Sequence, residues 1–234
     1  MVLSTLVKPK QDVLNKPGTS DEVAEQLLAA VSAMSKTDAG RQSIFTGHSI
    51  PVLVKMLGNS NKKIVEYALG TLHNLEQYMT AEVVEPIRLA GGVSKMTEVF
   101  VERRASPNKP WSNKFVAMLL NSIEILCTGD IGSKSIFEQK QGLPTLIATM
   151  NTVATSQKPY EKLAYTSIRL FCVLSAFNTI KEKIIAEGGM EAANALQAAD
   201  LKSNSEKVNE RALWAVRNLS DKGNWIDQTR SSLD

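Results

Sequence analysis

The stretch Tyr160–Ala176, YEKLAYTSIRLFCVLSA, decides the fold, because it predicts a long apolar helix whose polar-tipped ending recurs along the chain. Successive endings are spaced by about 41, 51, 48 and 45 residues, close to the period of known helical repeats. This spacing predicts a stack in which each repeat contacts mainly its neighbours, leaving one long concave surface. The four other endings are VSAMSK at 31–36, TLHNLE at 71–76, IEILCTG at 123–129 and VRNLSD at 216–221.

The clearest repeat unit contains three helices. Ser133–Gln139 predicts a short helix, Gly142 a sharp reversal, Leu143–Met150 a second helix, and Tyr160–Ala176 the third. Apolar residues cover more than one stripe of the third helix, as expected of a helix packed on two sides. Strand signals are weak, so we predict an all-α fold. Glycines mark the equivalent corners elsewhere, where the chain must turn tightly: Gly47, Gly91–Gly92 and Gly188–Gly189.

The repeats divide the chain into three parts. We expect an incomplete first repeat over 1–36, about four repeats over 37–221, and a polar tail over 222–234. One segment, 101–113 (VERRASPNKPWSN), is about eight residues longer than its counterparts, and its prolines and basic residues predict an inserted surface loop. Ser106–Pro107 in this loop has the form of a proline-directed phosphorylation site, although an unmodified loop is favoured.

Composition argues against several classes of protein. With 43% hydrophobic and 22% charged residues in 234, the chain can bury a large apolar surface. It lacks an apolar run of about 18 to 20 residues and a signal-peptide pattern, so we expect no membrane insertion and no secretion. Cys127 and Cys172 lie in apolar helical patterns, which favours reduced thiols in the cytoplasm or nucleus. A net charge of +3 is too small to predict direct nucleic-acid binding.

Catalysis finds no support in the motifs. The two histidines, His48 and His73, have no partner at metal-ligand spacing. The chain has no phosphate-binding loop, dinucleotide fingerprint or nucleophile elbow. We therefore expect no enzyme activity, no catalytic residues, no metal and no cofactor.

Seven strings follow one another along the chain: PVLVKMLGNS, YALGTLHNL, RLAGGVSKM, SKSIF, YEKLAYTSIRL, IIAEGGMEA and ALWAVRNLSD. From about Glu22 to Asp221 the chain closely resembles, through these strings, the β-catenin/plakoglobin/Armadillo branch of armadillo-repeat proteins. The resemblance implies a right-handed superhelical solenoid with three helices per repeat and a groove lined by the third helices. It also implies binding of extended acidic peptides, namely cadherin tails, TCF/LEF-type factors, APC and axin. The implied roles are cell adhesion and Wnt-type transcriptional signalling, in the cytoplasm, the nucleus and cell–cell junctions.

The resemblance also places particular residues in this groove. Four positions depart from the family pattern: Tyr165 stands where the family usually has Trp, Asn121 where it has Asp, Thr128 where it has Tyr, and Cys172 where it has Lys. Lys134 corresponds to one of two family lysines that hold acidic side chains, and the second would lie beyond residue 234. The implied groove residues are Tyr67, His73, Asn74, Lys114, Phe115, Asn121, Lys134, Tyr165, Arg169, Trp214, Arg217 and Asn218.

The chemistry of these side chains fits an acidic extended ligand. An Asn amide offers a donor and an acceptor together, so it can pair with both backbone groups of an extended peptide. Arg and Lys favour Asp and Glu through charge-assisted hydrogen bonds. Ordinary structural roles stay open for the same residues: burial for Trp214, hydrogen bonding between repeats for Asn74 and Asn218, and solvation for Lys134.

Two other functions remain as alternatives. An importin-α-like transport adaptor shares the Trp–Asn pair, but its groove should be acidic, whereas Lys114, Lys134, Arg169 and Arg217 are basic. A truncated, non-signalling or dominant-negative fragment would instead self-associate through the uncapped ends of the solenoid, since terminal repeats need polar outer faces.

Overall fold

The computed structural model describes Leu14 and residues 20–105, 111–199, 201 and 205–220. All secondary structure in these residues is helical, which confirms the all-α prediction. Three sequence-based predictions lie wholly or partly outside them: the start of the incomplete first repeat over 1–36, the Ser106–Pro107 site and the polar tail over 222–234. The helices are Asp21–Met34 (α1), Asp38–Thr46 (α2), Ile50–Met56 (α3), Lys62–Tyr78 (α4), Thr80–Leu89 (α5), Gly92–Ala105 (α6), Asn113–Cys127 (α7), Ile131–Gln139 (α8), Gly142–Ala154 (α9), Glu161–Ser175 (α10), Asn178–Ala186 (α11), Gly189–Gln197 (α12) and Ser205–Ser220 (α13).

The helices follow the predicted order of three per repeat. Helices α8, α9 and α10 form the unit read from the sequence, and α10 ends within one residue of the predicted bounds at each end. Helices α1, α4, α7, α10 and α13 are the third helices of successive repeats. The segment 101–113 is predicted from the sequence as a loop. Helix α6 continues to Ala105, so the first five residues of this segment are helical.

The third helices pack against one another in chain order, and the second helices α6, α9 and α12 form a parallel layer. This arrangement requires buried residues on two sides of a third helix, as α10 shows. Ile168, Phe171 and Leu174 are fully buried in it, and so are Leu170 and Ser167. Burying one large apolar side chain stabilises the fold by about 1.5 to 3 kcal/mol. None of the described helices has the length and apolarity needed to cross a bilayer.

Polar contacts between repeats join residues about one repeat apart in sequence. Glu25 and Lys63 form an ion pair of 2.9 Å between α1 and α4. Glu98 of α6 accepts from Lys140 at 2.8 Å and from Lys95 at 2.7 Å. These two lysines lower the pKa of Glu98 to about 2. Such contacts fix the register of the stack, although each exposed pair contributes only about 0.2 to 1 kcal/mol.

The Arg88 side chain binds the C-terminal end of the third helix α7. The Arg88 guanidinium on α5 donates from Nε to the Leu126 carbonyl at 2.9 Å and from Nη2 to the Thr128 carbonyl at 3.0 Å. The last carbonyls of a helix lack partners inside the helix and carry partial negative charge. Arg88 therefore satisfies two backbone acceptors where α7 ends.

Gly142 is required for a reason that differs from the predicted one. The left-handed residue at this corner is Gln141, with φ of 63°, whereas Gly142 begins α9. A Cβ on Gly142 would lie 2.5 Å from the ring of Phe137, which is fully buried. The corner thus needs glycine for the close approach of α8 and α9, and the turn itself is made by its neighbour.

This packing predicts the outcome of Gly142→Ala. The added methyl group must displace the buried Phe137 ring, so we expect the free energy of unfolding to fall by about 1 to 3 kcal/mol, measured by urea denaturation. Gly132→Ala is the matched control, because a Cβ on this exposed helical glycine meets Asp130 at an ordinary 3.5 Å. It should be neutral or stabilise by up to about 1 kcal/mol. Equal effects of the two substitutions would contradict the assignment.

Candidate functional site

Ten of the twelve residues predicted for the groove lie on third helices with at least partly exposed side chains. We call the surface that they form the third-helix face. It runs from α4 through α7 and α10 to α13. Its members are Tyr67, His73, Asn74, Lys114, Asn121, Tyr165, Arg169, Trp214, Arg217 and Asn218.

The other two predicted residues do not lie on an exposed part of a third helix; Phe115 is buried, and the place of Lys134 in the groove stays a prediction. Phe115 is only 3% exposed and stacks on Trp111 with ring centroids 3.7 Å apart, so it packs in the core. The reason is its place after Ser112, the N-cap of α7, whose hydroxyl accepts from the Phe115 backbone at 3.2 Å. Lys134 lies on the first helix α8, with its Nζ 5.3 Å from the ring centroid of Phe177.

Asn74 has a structural contact in addition to its predicted role. Its Nδ2 donates to the Ser35 hydroxyl at 2.8 Å, which joins α4 to the end of α1. One donor of the amide is therefore used between repeats, as the structural interpretation of this asparagine predicts. Its second N–H and its carbonyl oxygen are the groups that remain for a ligand.

His73 cannot act as a cation at neutral pH. Burial, followed by the charge of Lys162, lowers the pKa of His73 to about 4. Its Nδ1 is buried and has no hydrogen-bond partner in the described chain. The imidazole is therefore neutral, and it contributes shape and one hydrogen-bonding edge to the face.

Arg169 lies at the centre of the face and is already paired. Its Nη2 donates to Glu124 Oε2 at 2.7 Å, and its Nη1 donates to Asn121 Oδ1 at 3.3 Å. Both acceptors are on α7, one repeat earlier. The Arg169 side chain is 28% exposed, whereas that of Glu124 is 11% exposed. The ion pair thus links two repeats beneath the surface of the face.

Two residues of this centre were missed by the sequence-based reasoning, namely Glu124 and Arg211. The Cζ atoms of Arg169 and Arg211 lie 5.6 and 5.7 Å from the ring centroid of Tyr165, within cation–π range. Burial raises the pKa of Glu124, and the charges of Arg169 and Arg211 oppose that shift. A glutamate inside the apolar string IEIL was the available signal for Glu124.

The C-terminal end of the face is built by α13. Trp214 is 38% exposed, and Asn218 lies one helical turn later on the same side of the helix. Arg217 is exposed beside them, and so is Leu213. An exposed indole next to an amide and a guanidinium offers apolar contact area, backbone pairing and charge in one place.

A polar seam joins α4 and α7, two helices that pack against each other. Glu76 is fully buried, and burial raises its pKa to about 8 against a small opposing effect of Ser122. Its carboxyl oxygens, the Ser122 hydroxyl and the Asn121 Nδ2 are buried without a hydrogen-bond partner in the described chain. At neutral pH Glu76 is therefore mostly a neutral acid.

The two cysteine thiols are not activated as nucleophiles, and the described acidic groups do not form a metal site. Burial raises the pKa of Cys127 and of Cys172 to about 12, so neither is a thiolate nucleophile at neutral pH. Among the described residues, no group of three or more His, Cys, Asp or Glu side chains is placed to hold a metal ion.

Sequence comparison with known proteins identifies relatives of the chain. No family model matches it. The chain is 33% identical to human junction plakoglobin over 204 residues, which cover 87% of the chain and 25% of plakoglobin. It is 32% identical to catenin beta of Urechis caupo over 182 residues, covering 78% of the chain and 20% of that protein. The chain thus spans a quarter or less of the length of these relatives.

Solved structures show the same fold. A chain from a study of a phosphorylation switch in the cadherin–β-catenin interaction superposes with a TM-score of 0.78 at 23% identity, over 93% of this chain and 37% of that one. A designed armadillo repeat protein gives a TM-score of 0.67 at 17% identity, over 92% and 82% of the two chains. The predicted solenoid of armadillo repeats is confirmed.

The polar seam predicts a pH-dependent stability that depends on Glu76. An acid whose pKa is raised on folding stabilises the protein at low pH, and this contribution is lost as the pH rises from about 4.5 to about 8. Glu76→Gln removes that dependence. As the pH rises from 5.5 to 7.5, wild type should lose stability and Glu76→Gln should not. We therefore expect the free energy of unfolding of the variant minus that of wild type to increase by roughly 1 to 3 kcal/mol over this range, measured by urea denaturation at each pH.

Glu82→Gln on the neighbouring helix α5 is the control, because Glu82 is exposed. This variant should follow the wild-type pH profile. A pH profile of Glu76→Gln that is parallel to wild type would show that Glu76 is not a buried neutral acid.

Proposed function

Since the chain belongs to the family of plakoglobin and the β-catenins, we propose that it is a non-enzymatic armadillo scaffold whose third-helix face binds an extended acidic peptide of the cadherin-tail type. The observation that carries this proposal is the group of Trp214, Arg217 and Asn218 on the exposed side of α13. Exposed aromatic and arginine side chains are the residues that most often dominate binding energy at protein interfaces.

The charge of the face supports an acidic partner. Lys114 is exposed at the start of α7, and Arg217 is exposed near the end of α13. Exposed cations on two helices of the face favour acidic ligands by steering and by charge-assisted hydrogen bonds. The basic cargo of an importin-α-like adaptor would be repelled by the same side chains, which makes that alternative less suitable.

The relatives support the cadherin class of partner. One of them is named for cell junctions, and the structural match at TM-score 0.78 comes from work on the interaction between cadherin and β-catenin. We therefore place the proposed function in cell adhesion, at cell–cell junctions and in the cytoplasm. TCF/LEF-type factors, APC and axin share the extended acidic chemistry. Their binding, and a role in Wnt-type transcription in the nucleus, form the finer part of the proposal.

Titration of a fluorescent cadherin-tail peptide tests the face directly. We expect Trp214→Ala to weaken binding by about tenfold or more, because it removes the largest exposed apolar anchor. Asn218→Ala should weaken it by about fivefold through the loss of a backbone-pairing amide. Fluorescence anisotropy at fixed ionic strength gives both dissociation constants.

Leu89→Ala is the matched control, because Leu89 is 80% exposed on the first helix α5, away from the third-helix face. It also removes an exposed apolar side chain, and it should leave the dissociation constant unchanged. If the Trp214 and Leu89 variants bind equally well, the peptide does not use the third-helix face.

A further inference from the structure

The centre of the third-helix face combines three charged groups from three successive repeats. Glu124 comes from α7, Arg169 from α10 and Arg211 from α13. Tyr165 lies within 6 Å of both guanidinium carbons. Groups two repeats apart act on each other here, because the charge of Arg211 reaches the Glu124 carboxylate across α10. The three groups therefore form one electrostatic unit on the face that these helices share.

The two arginines differ in how their charge is used. Arg169 donates to Glu124 at 2.7 Å and to Asn121 at 3.3 Å, so its guanidinium is held by α7. Arg211 forms no ion pair with any described carboxylate; its guanidinium lies over the Tyr165 ring, and its backbone carbonyl accepts from the Cys172 thiol. One carboxylate beside two guanidinium groups leaves a net charge of +1. The uncompensated charge is that of Arg211.

We propose that Arg211 is the anion-binding residue at the centre of the face, and that Glu124 acts as an internal competitor that keeps Arg169 from binding the ligand. This inference rests on the proposed function and adds the specificity of its central subsite. A ligand carboxylate can pair with Arg211 without breaking any protein contact. At Arg169 it would instead compete with the Glu124 carboxylate, which already neutralises that guanidinium and whose negative charge repels a second carboxylate.

The consequence is a subsite that accepts one acidic side chain. Tyr165 supports this arrangement, since the Arg211 guanidinium lies over its ring at cation–π distance. This attraction favours a position of the guanidinium beside Arg169 before the ligand arrives. Two adjacent acidic residues of a ligand would compete for one available cation. Removing the Glu124 charge would release Arg169 and make the second position favourable.

Two substitutions with charge-matched controls test the assignment. Arg211→Ala should weaken binding of the cadherin-tail peptide by about fivefold to tenfold, whereas Lys207→Ala removes an exposed positive charge from the same helix and should change it by less than about twofold. Glu124→Gln should tighten binding by about threefold or more because Arg169 becomes available. Glu210→Gln removes an exposed negative charge from α13 and is its control. Equal effects within either pair would overturn the proposal.

A second measurement keeps the inference separate from the choice of partner. NMR titration with an octaglutamate peptide follows the arginine Nε signals directly. In wild type the Arg211 signal should shift and that of Arg169 should not; in Glu124→Gln both should shift. If octaglutamate moves Arg211 but the cadherin-tail peptide does not bind, the subsite stands and the proposed partner is wrong. If neither peptide moves the Arg211 signal, or if Arg169 responds in wild type, the subsite assignment is wrong.

Discussion

The architecture depends on a third helix that must be buried from two sides. An isolated repeat cannot cover both apolar sides of such a helix, so each repeat is completed by its neighbours. Phe171 and Leu174 of α10 have no exposed surface in the stack. This constraint also decides where polar groups can go. Polar residues of a third helix therefore lie on the third-helix face, pair with a neighbouring repeat as Arg169 does with Glu124, or are buried as Glu76 is.

The sequence predicts the fold well because the helices and their spacing follow from patterns of neighbouring residues. Apolar periodicity and the spacing of the endings are properties of contiguous residues, and they place α8, α9 and α10 within a few residues. The corner at Gly142 shows the limit of such reasoning. Its turn was predictable, but its cause, the Phe137 ring 2.5 Å from the missing Cβ, is a contact between two helices that no local pattern records.

The candidate site is harder to predict, since its chemistry depends on pairing between repeats. Arg169 was identified by resemblance, yet its use by Glu124 appears only when α7 and α10 are stacked in register. Phe115 carries a surface role in the resemblance but lies in the core beside Trp111. Arg211 has no distinguishing sequence pattern, and only the position of the Tyr165 ring brings it into the site. Identity of residue type is therefore a weaker guide than the register of the stack.

The polar seam between α4 and α7 has a mechanical consequence. A solenoid bends at the joints between its repeats, that is, where neighbouring third helices pack together. The joint that resists bending least takes most of the deformation. Among the described residues, the joint between α4 and α7 contains buried polar atoms without hydrogen-bond partners on Glu76, Asn121 and Ser122, whereas α10 contributes one such atom, the Ser167 hydroxyl. We expect bending to concentrate at that joint. The distance between the Asn74 end and the Trp214 end of the face would then change with little disturbance of either, so the curvature of the stack would be adjustable to the length of the proposed peptide.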